Sequence, residues 1–239
     1  MPTTPTPTPT RRLPRILLAI LLILGLATLV VMLVVRLSGA FVATANPVLG
    51  IGDPAEQDRT AGAFTAISAT GGIQVVVGIG AERAVSLTAQ RNLLPLIHTD
   101  VVEGRLTITI AAPGISTTRP VIVRVTTPVL TRVSLDGGST GTMEIETNAL
   151  ELALSGGSTV TAIGRAGALT LTADGGSTAQ LQELHADTAN VTVNGGSTVT
   201  VAVATTLTGT ADGGSTVKLT QQPATLNVKT NGGSTVTGP

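Results

Sequence analysis

Three carboxylates recur at a fixed interval in the C-terminal half of the chain: Asp136, Asp174 and Asp212 occupy the same position in every second copy of a short motif. If successive copies stack as paired strands about 4.8 Å apart, these side chains lie about 9 to 10 Å apart. That is close to the separation of the two carboxylates in inverting glycosidases, so polysaccharide cleavage is one candidate chemistry. The intervening copies argue against it, because they place Ser155, Asn194 and Asn231 at the same position. Asp, Asn and Ser share the capacity to hydrogen-bond local backbone in turns, which accounts for the whole set without catalysis. Histidine occurs only at His98 and His185, on dissimilar segments, and cysteine is absent. Neither a base–nucleophile pair nor a metal site is indicated, and no cofactor is expected. The glycine-rich turns are not followed by Gly-Lys-Ser/Thr, as a phosphate loop requires. They also lack the shorter period and trailing Asp of calcium-binding rolls.

A second pattern is hydroxylic. Thr140 with Thr142, Thr159 with Thr161, Thr198 with Thr200 and Thr235 with Thr237 form Thr-x-Thr pairs, interrupted in other copies by Gln180 and Lys218. Such an array on a flat sheet would suit an ice-binding solenoid, although Thr also suits any exposed strand face.

The element that positions these residues is a repeat. Gly-Gly-Ser-Thr begins at Gly137, Gly156, Gly175, Gly195, Gly213 and Gly232, with successive periods of 19, 19, 20, 18 and 19 residues. The repeat turns are thus Asp136-Gly137-Gly138, Gly156-Gly157, Asp174-Gly175-Gly176, Asn194-Gly195-Gly196, Asp212-Gly213-Gly214 and Asn231-Gly232-Gly233. Internal repetition at this period signals a solenoid. The fill between turns alternates apolar and polar residues, as in Leu152-Ala153-Leu154 and Val199-Thr200-Val201, so each copy is read as one coil of a parallel β-helix. The alternation points Val160, Ala179, Val199, Val217 and Val236 inward, opposite Leu135, Leu154, Ala173, Val193 and Ala211. Aromatic residues make up 1% of the chain against 42% hydrophobic residues overall, which favours a thin core of aliphatic stacks. Upstream, Gly72–Val77, Ala84–Thr88, Arg105–Ile110 and Val121–Val125 are strand-like and are expected to form less regular first turns of the same structure.

The remaining segments place this body at a membrane. Residues 1–12 are a Pro/Thr tail expected to be disordered and cytoplasmic. Residues 13–36 are read as a transmembrane anchor, because 16–35 carries no charge and, at about 1.5 Å rise per residue, spans a hydrocarbon layer of roughly 30 Å. Arg11, Arg12 and Arg15 precede it, so the positive-inside rule sets the N-terminus in the cytoplasm and the rest outside the cell or in the periplasm. Ala43-Thr44-Ala45 resembles a signal-peptidase site, but the apolar run is longer than signal peptides use. Ala40 stands where a lipobox after Leu37-Ser38-Gly39 would need Cys. Residues 37–60 read as a linker, leaving a β-helix head at 61–239 whose regular part is 131–239. Fourteen basic and fourteen acidic residues balance, which removes the long-range field that nucleic-acid binding uses.

From Phe64 through Gly72–Val77, Asn92, Val102-Glu103-Gly104-Arg105-Leu106-Thr107-Ile108 and Thr127-Pro128-Val129-Leu130 into Leu135-Asp136-Gly137-Gly138-Ser139, the chain resembles the auto-transporter adhesin head (GIN) domain family. The resemblance covers roughly residues 60 to 239 and implies a right-handed β-helix on a bacterial surface with an adhesive role, and it brings no catalytic residue. The chain departs from that family by its Gly-Gly-Ser-Thr turns, where Ser-Gly-Ser-Gly types are expected, and by lacking a lipobox Cys. The function expected is therefore a membrane-anchored surface β-helix acting by non-catalytic interaction, with ice binding or polysaccharide processing as alternatives. The expected partners are the bilayer, through 16–35, and a second copy or an envelope polysaccharide. The sequence stops at Thr237-Gly238-Pro239 just after a turn, so the last coil is expected to present a free strand edge.

Overall fold

The computed structural model describes residues 46–111 and 114–239. Among these no helix is long and apolar enough to cross a membrane, and the segments expected to be the tail and the anchor, including residues 16–35, lie outside them. Residues Pro47–Pro239 form one compact unit. In chain order its strands begin with β1 (Val48–Leu49), β2 (Pro54–Arg59), β3 (Ala66–Thr70), β4 (Gln74–Ile79), β5 (Ala84–Gln90), β6 (Ile97–Val102), β7 (Arg105–Ile110), β8 (Ile115–Ser116) and β9 (Ile122–Thr127). They continue with β10 (Arg132–Asp136), β11 (Thr140–Leu154), β12 (Thr159–Ala173), β13 (Thr178–Val193), β14 (Thr198–Ala211), β15 (Thr216–Leu219), β16 (Thr225–Thr230) and β17 (Thr235–Thr237).

The regular half is the expected β-solenoid, all-β with coils of about 19 residues. Strands β11 to β14 pair in parallel, each with the same stretch of the next coil. Period-2 alternation fixes the register, since a one-residue slip would turn every aliphatic side chain to solvent. Val160, Ala179, Val199 and Val217 are fully buried, as are Leu135, Leu154, Ala173, Val193 and Ala211, while Val236 is only partly covered. Burying one such Val or Leu contributes about 1.5–3 kcal/mol, so the stack accumulates stability coil by coil. The uneven periods are absorbed away from the turns. The register between β12 and β13 shifts between Thr161 and Ile163, and that between β13 and β14 shifts between Leu181 and His185.

The first half closes the solenoid differently. On one face the stack runs through β3 and β7 in parallel and then β6 antiparallel to β7; on the other it runs through β4 and β9 in parallel and then β5 and β2 in antiparallel pairings. Glu103 (φ 50°) and Gly104 (φ 73°) make the tight hairpin turn between β6 and β7, the paired positive angles of a type I′ connection.

One boundary is corrected. Residues 37–60 were expected to be a linker, but 48–59 supply β1 and β2. β1 pairs with β8, and the Asn92 side chain takes the Ile51 N–H (2.9 Å) and donates to the Leu49 carbonyl (2.7 Å). The Arg59 guanidinium reaches the Leu94 carbonyl at 2.8 Å. An edge strand tolerates a leading Pro54 and the charges of Glu56, Asp58 and Arg59, which is why the segment reads as tether composition.

The turns themselves require glycine. Gly156 has φ +62°, and a Cβ there would sit 2.9 Å from the Gly137 backbone nitrogen of the coil before. Gly157 has φ +76° but nothing within 4 Å. Gly157→Ala is therefore expected to cost about 1–2 kcal/mol, the left-handed penalty alone, and Gly156→Ala clearly more, because backbone must also move. Urea unfolding of both variants checks the order, and equal losses would contradict the close approach.

Candidate functional site

The turns stack into a ridge, and the side chain that organises it is the serine. Ser139, Ser158, Ser177, Ser197 and Ser215 are all buried. Their hydroxyls turn back on the same loop: Ser139, Ser158, Ser177 and Ser215 donate to the carbonyls of Asp136, Ser155, Asp174 and Asp212 at 2.6–2.7 Å. The same type of hydroxyl also reaches the preceding coil. Ser139, Ser197 and Ser234 accept the backbone N–H groups of Ile73, Ser177 and Ser215 at 3.3, 3.1 and 3.0 Å. Sequence reasoning assigned turn capping to the residue before each glycine pair and passed over this serine. The available signal was internal: the position after the glycines is Ser in all six copies, while the one before them varies.

The residues before the glycines form a ladder between coils. Asp136 accepts the Ser155 hydroxyl at 2.6 Å and Asp174 accepts the Asn194 amide at 2.8 Å. These carboxylates are thus occupied by the neighbouring coil, an arrangement that holds turns in line. His98 lies on β6 and His185 on β13, both exposed and several strands apart in the sheet. Among the described residues no cluster of His, Cys, Asp or Glu is placed to hold a metal ion.

Two strips of outward-facing columns flank the ridge. After the turn, Thr140, Thr159, Thr178, Thr198, Thr216 and Thr235 stand in one unbroken column. Beside it runs Thr142, Thr161, Gln180, Thr200, Lys218 and Thr237. Thr140, Thr142, Thr235 and Thr237 are exposed, and Thr159, Thr161, Thr198 and Thr200 are half-buried between their neighbours. Gln180 joins the array by accepting the Thr161 hydroxyl at 3.4 Å. Before the turn lies a second strip that sequence reasoning missed: Ser134, Ala153, Thr172, Thr192, Thr210 and Lys229 in one column, and Arg132, Glu151, Thr170, Asn190, Thr208 and Asn227 in the other. Thr170-x-Thr172 and Thr208-x-Thr210 were its signal.

At the start of the second strip is an open groove of about 840 Å³, lined by Thr65, Glu103, Arg105, Val129, Arg132, Glu146 and Glu151 among others. Arg132 and Glu151 form an ion pair across adjacent coils, 2.6 Å between Nη2 and Oε2, with both side chains nearly half exposed. At that exposure the pair contributes at most about 1 kcal/mol. The groove offers both signs of charge and many hydroxyls, with no aromatic platform.

The profile of the family described as “Putative auto-transporter adhesin, head GIN domain” matches residues 63–223. The chain belongs to this family. No curated protein matches it. Among solved structures, this GIN-domain chain is similar to a “putative adhesin” from Bacteroides fragilis NCTC 9343, at TM-score 0.61 and 15% identity over 80% of this chain and 100% of that one. It is likewise similar to a “putative adhesin” from Parabacteroides merdae ATCC 43184, at TM-score 0.53 and 15% identity over 82% and 100%. A third is a “putative lipid binding protein” from Parabacteroides distasonis ATCC 8503, at TM-score 0.50 and 12% identity over 81% and 100%. At such identities the likeness is one of fold.

The serine role separates from the threonine role by stability. Ser197→Ala leaves the Ser177 N–H buried without its acceptor and is expected to lower stability by about 1–3 kcal/mol. Thr198→Ser, one position on and half exposed, should stay within about 0.5 kcal/mol. Thermal and urea melts of the two variants test this, and an inert Ser197→Ala would remove the serine from its assigned role.

Proposed function

We propose that this GIN-domain protein is an adhesin-type component of the bacterial envelope that works by binding and not by catalysis. In this reading residues 16–35 form a single membrane span with the N-terminus in the cytoplasm. The right-handed β-helix, the usual sense for parallel crossovers, then stands outside the cell or in the periplasm. Membership of an adhesin-head family supports the reading. The observation that carries it is the outer surface: two of the three repeated carboxylates, Asp136 and Asp174, are tied up in inter-coil hydrogen bonds, while long, hydroxyl-bearing strips face outward on both sides of the turn ridge. Small hydroxylic side chains at strand spacing suit a partner that is itself extended and polar, such as an envelope polysaccharide, and the groove at Arg105, Arg132 and Glu151 gives that partner a charged end to the strip.

A second reading, ice binding, draws on the unbroken Thr140-to-Thr235 column. Gln180 and Lys218 break its companion column in two of six coils, so the two-residue-wide hydroxyl lattice never runs beyond two consecutive coils. We expect no thermal hysteresis. If hysteresis is measured and Thr198→Tyr abolishes it, the ice reading replaces the adhesive one.

Topology is tested in the full chain expressed in bacteria. Proteinase K added to intact spheroplasts is expected to digest the head, and deletion of residues 16–35 is expected to move the protein from the membrane fraction to the soluble one. A head that resists protease until the cells are lysed would overturn surface display.

A further inference from the structure

At the start of the second strip the outward columns change character. From β7 across β3, β10 and β11, one column runs Arg105, Ala66, Arg132 and Glu151, and Thr170 and Asn190 continue it over β12 and β13. Beside it on the regular coils lies a column of Ala149, Ala168, Thr188 and Thr206. Ala66, Ala149 and Ala168 all line the groove of about 840 Å³. Each presents only a methyl in a column that elsewhere carries Arg, Glu or Thr, and the depression is the volume left unfilled. The Glu103–Gly104 turn before β7 and the Glu146-Thr147-Asn148 stretch of β11 border it.

The charged residues that line this groove are not equivalent. Arg132 is held by Glu151, with Nη2 at 2.6 Å and Nε at 2.9 Å from the same Oε2. Glu146 is in register with Arg165 of the next coil. Glu103 sits on the turn itself, at φ 50°, outside the strand columns. Arg105 is exposed and makes no ion pair among the described residues. Its cross-strand neighbours are Ala66 on β3 and Val102 on β6, so no carboxylate stands opposite it. Two strand spacings, about 9.6 Å, separate the backbones of Arg105 and Arg132, with Ala66 between them. An anion resting over Ala66 is within reach of both guanidiniums, one free and one fixed by Glu151. The planar fork of Arg matches a carboxylate. Three glutamates against two arginines also disfavour a ligand of higher charge, such as a phosphate monoester carrying about two negative charges.

We infer that this groove seats the carboxylate of an acidic sugar in an otherwise neutral polysaccharide, bound by Arg105 together with Arg132 across Ala66. The columns that lead away from it over β12 to β14 offer Thr170, Asn190 and Thr208 in one line and Thr188 and Thr206 in the other, hydroxyls and an amide without charge. They suit the hydroxyls of neutral sugars. A polymer with a carboxylate on every sugar would lay the remaining charges on these columns with no cation to meet them, so the fitting ligand carries its charge sparsely. The inference rests on the adhesive reading above and deepens it, because it fixes the sign, the density and the place of charge on the ligand.

The probes are a xylo-oligosaccharide carrying one glucuronate and the same oligosaccharide with that carboxyl reduced to the alcohol, each titrated by calorimetry into the full chain in detergent. The acidic probe is expected to bind about tenfold more tightly than the reduced one, the scale of charge-assisted hydrogen bonds, and the advantage should shrink as salt rises. Arg105→Gln should remove the advantage, and Arg105→Lys should restore only part of it, because a point charge replaces the fork. Ala66→Glu supplies the carboxylate from the protein itself and should also remove it. Arg124→Gln, on β9 in the column that leads to Thr142 on the other strip, should change nothing. Thermal melts of all four variants are expected to match the parent chain. Equal binding of the two probes overturns the seat and leaves glycan binding standing. An acidic advantage that survives both Arg105→Gln and Ala66→Glu places the charge contact elsewhere and overturns it too. If neither probe binds, the polysaccharide reading falls and the seat with it, while surface display is judged on its own test.

Discussion

The distance between stacked turns governs the rest of this structure. For each coil to pair with the next at strand spacing, one loop backbone must lie almost on top of another, and at Gly156 the room left for a side chain is 2.9 Å from the Gly137 nitrogen. Both residues of each pair also take positive φ, from +59° to +78° across the six copies. The first glycine is needed for space and for conformation, the second for conformation only. Once the loops are laid together, their polar groups are sealed between coils, and unpaired buried groups of that kind are costly. The serine that follows resolves this by serving its own loop as donor and, in several coils, the preceding coil as acceptor. Turn, serine and strand register are therefore one device.

That device explains the composition. A coil of about 19 residues encloses little volume, and its neighbours above and below present the same positions. Side chains must fit between copies of similar residues, which favours Val, Leu, Ala and Ile and leaves no room for rings. Phe64 is the buried aromatic of the described residues, and it lies in the irregular first half, where coils are not copies of one another. The same repetition acts outside. Any residue type allowed at an outward position becomes a column, so Thr on a strand face becomes a strip several coils long without any site having been assembled from distant parts of the chain.

Legibility followed the repeat. Period, turn positions, inward columns and the parallel pairing of β11 to β14 were readable because each is stated six times over in Gly-Gly-Ser-Thr and its flanks. The first half says each thing once. β5 and β6 have the alternation of any half-buried strand, and nothing in Ala84–Gln90 distinguishes an antiparallel neighbour from a parallel one. β2 was hidden by its position: an outermost strand is polar on both sides and begins with proline, so Pro54–Arg59 resembles a tether until β5 is seen beside it. On the surface, the Thr-x-Thr strip after the turn drew attention and its counterpart before the turn did not, because Ala153, Asn190 and Glu151 dilute the second pattern in sequence while leaving it continuous in space.

The two halves also differ in what they ask of the molecule. A stack of copied coils has no intrinsic stopping point, since every coil presents to the next the same edge and the same aliphatic floor. Stopping it requires residues that break the copy, and the first half does so with reversed strands, Pro54 and a concentration of charge. These are costs paid in the regularity of the sequence, and they account for the loss of the repeat there. The second half keeps the copy throughout: Asn231-Gly232-Gly233-Ser234-Thr235-Val236-Thr237 has the turn, the serine and the inward valine of the coils before it. Fidelity in the second half and interruption in the first thus give the solenoid a direction.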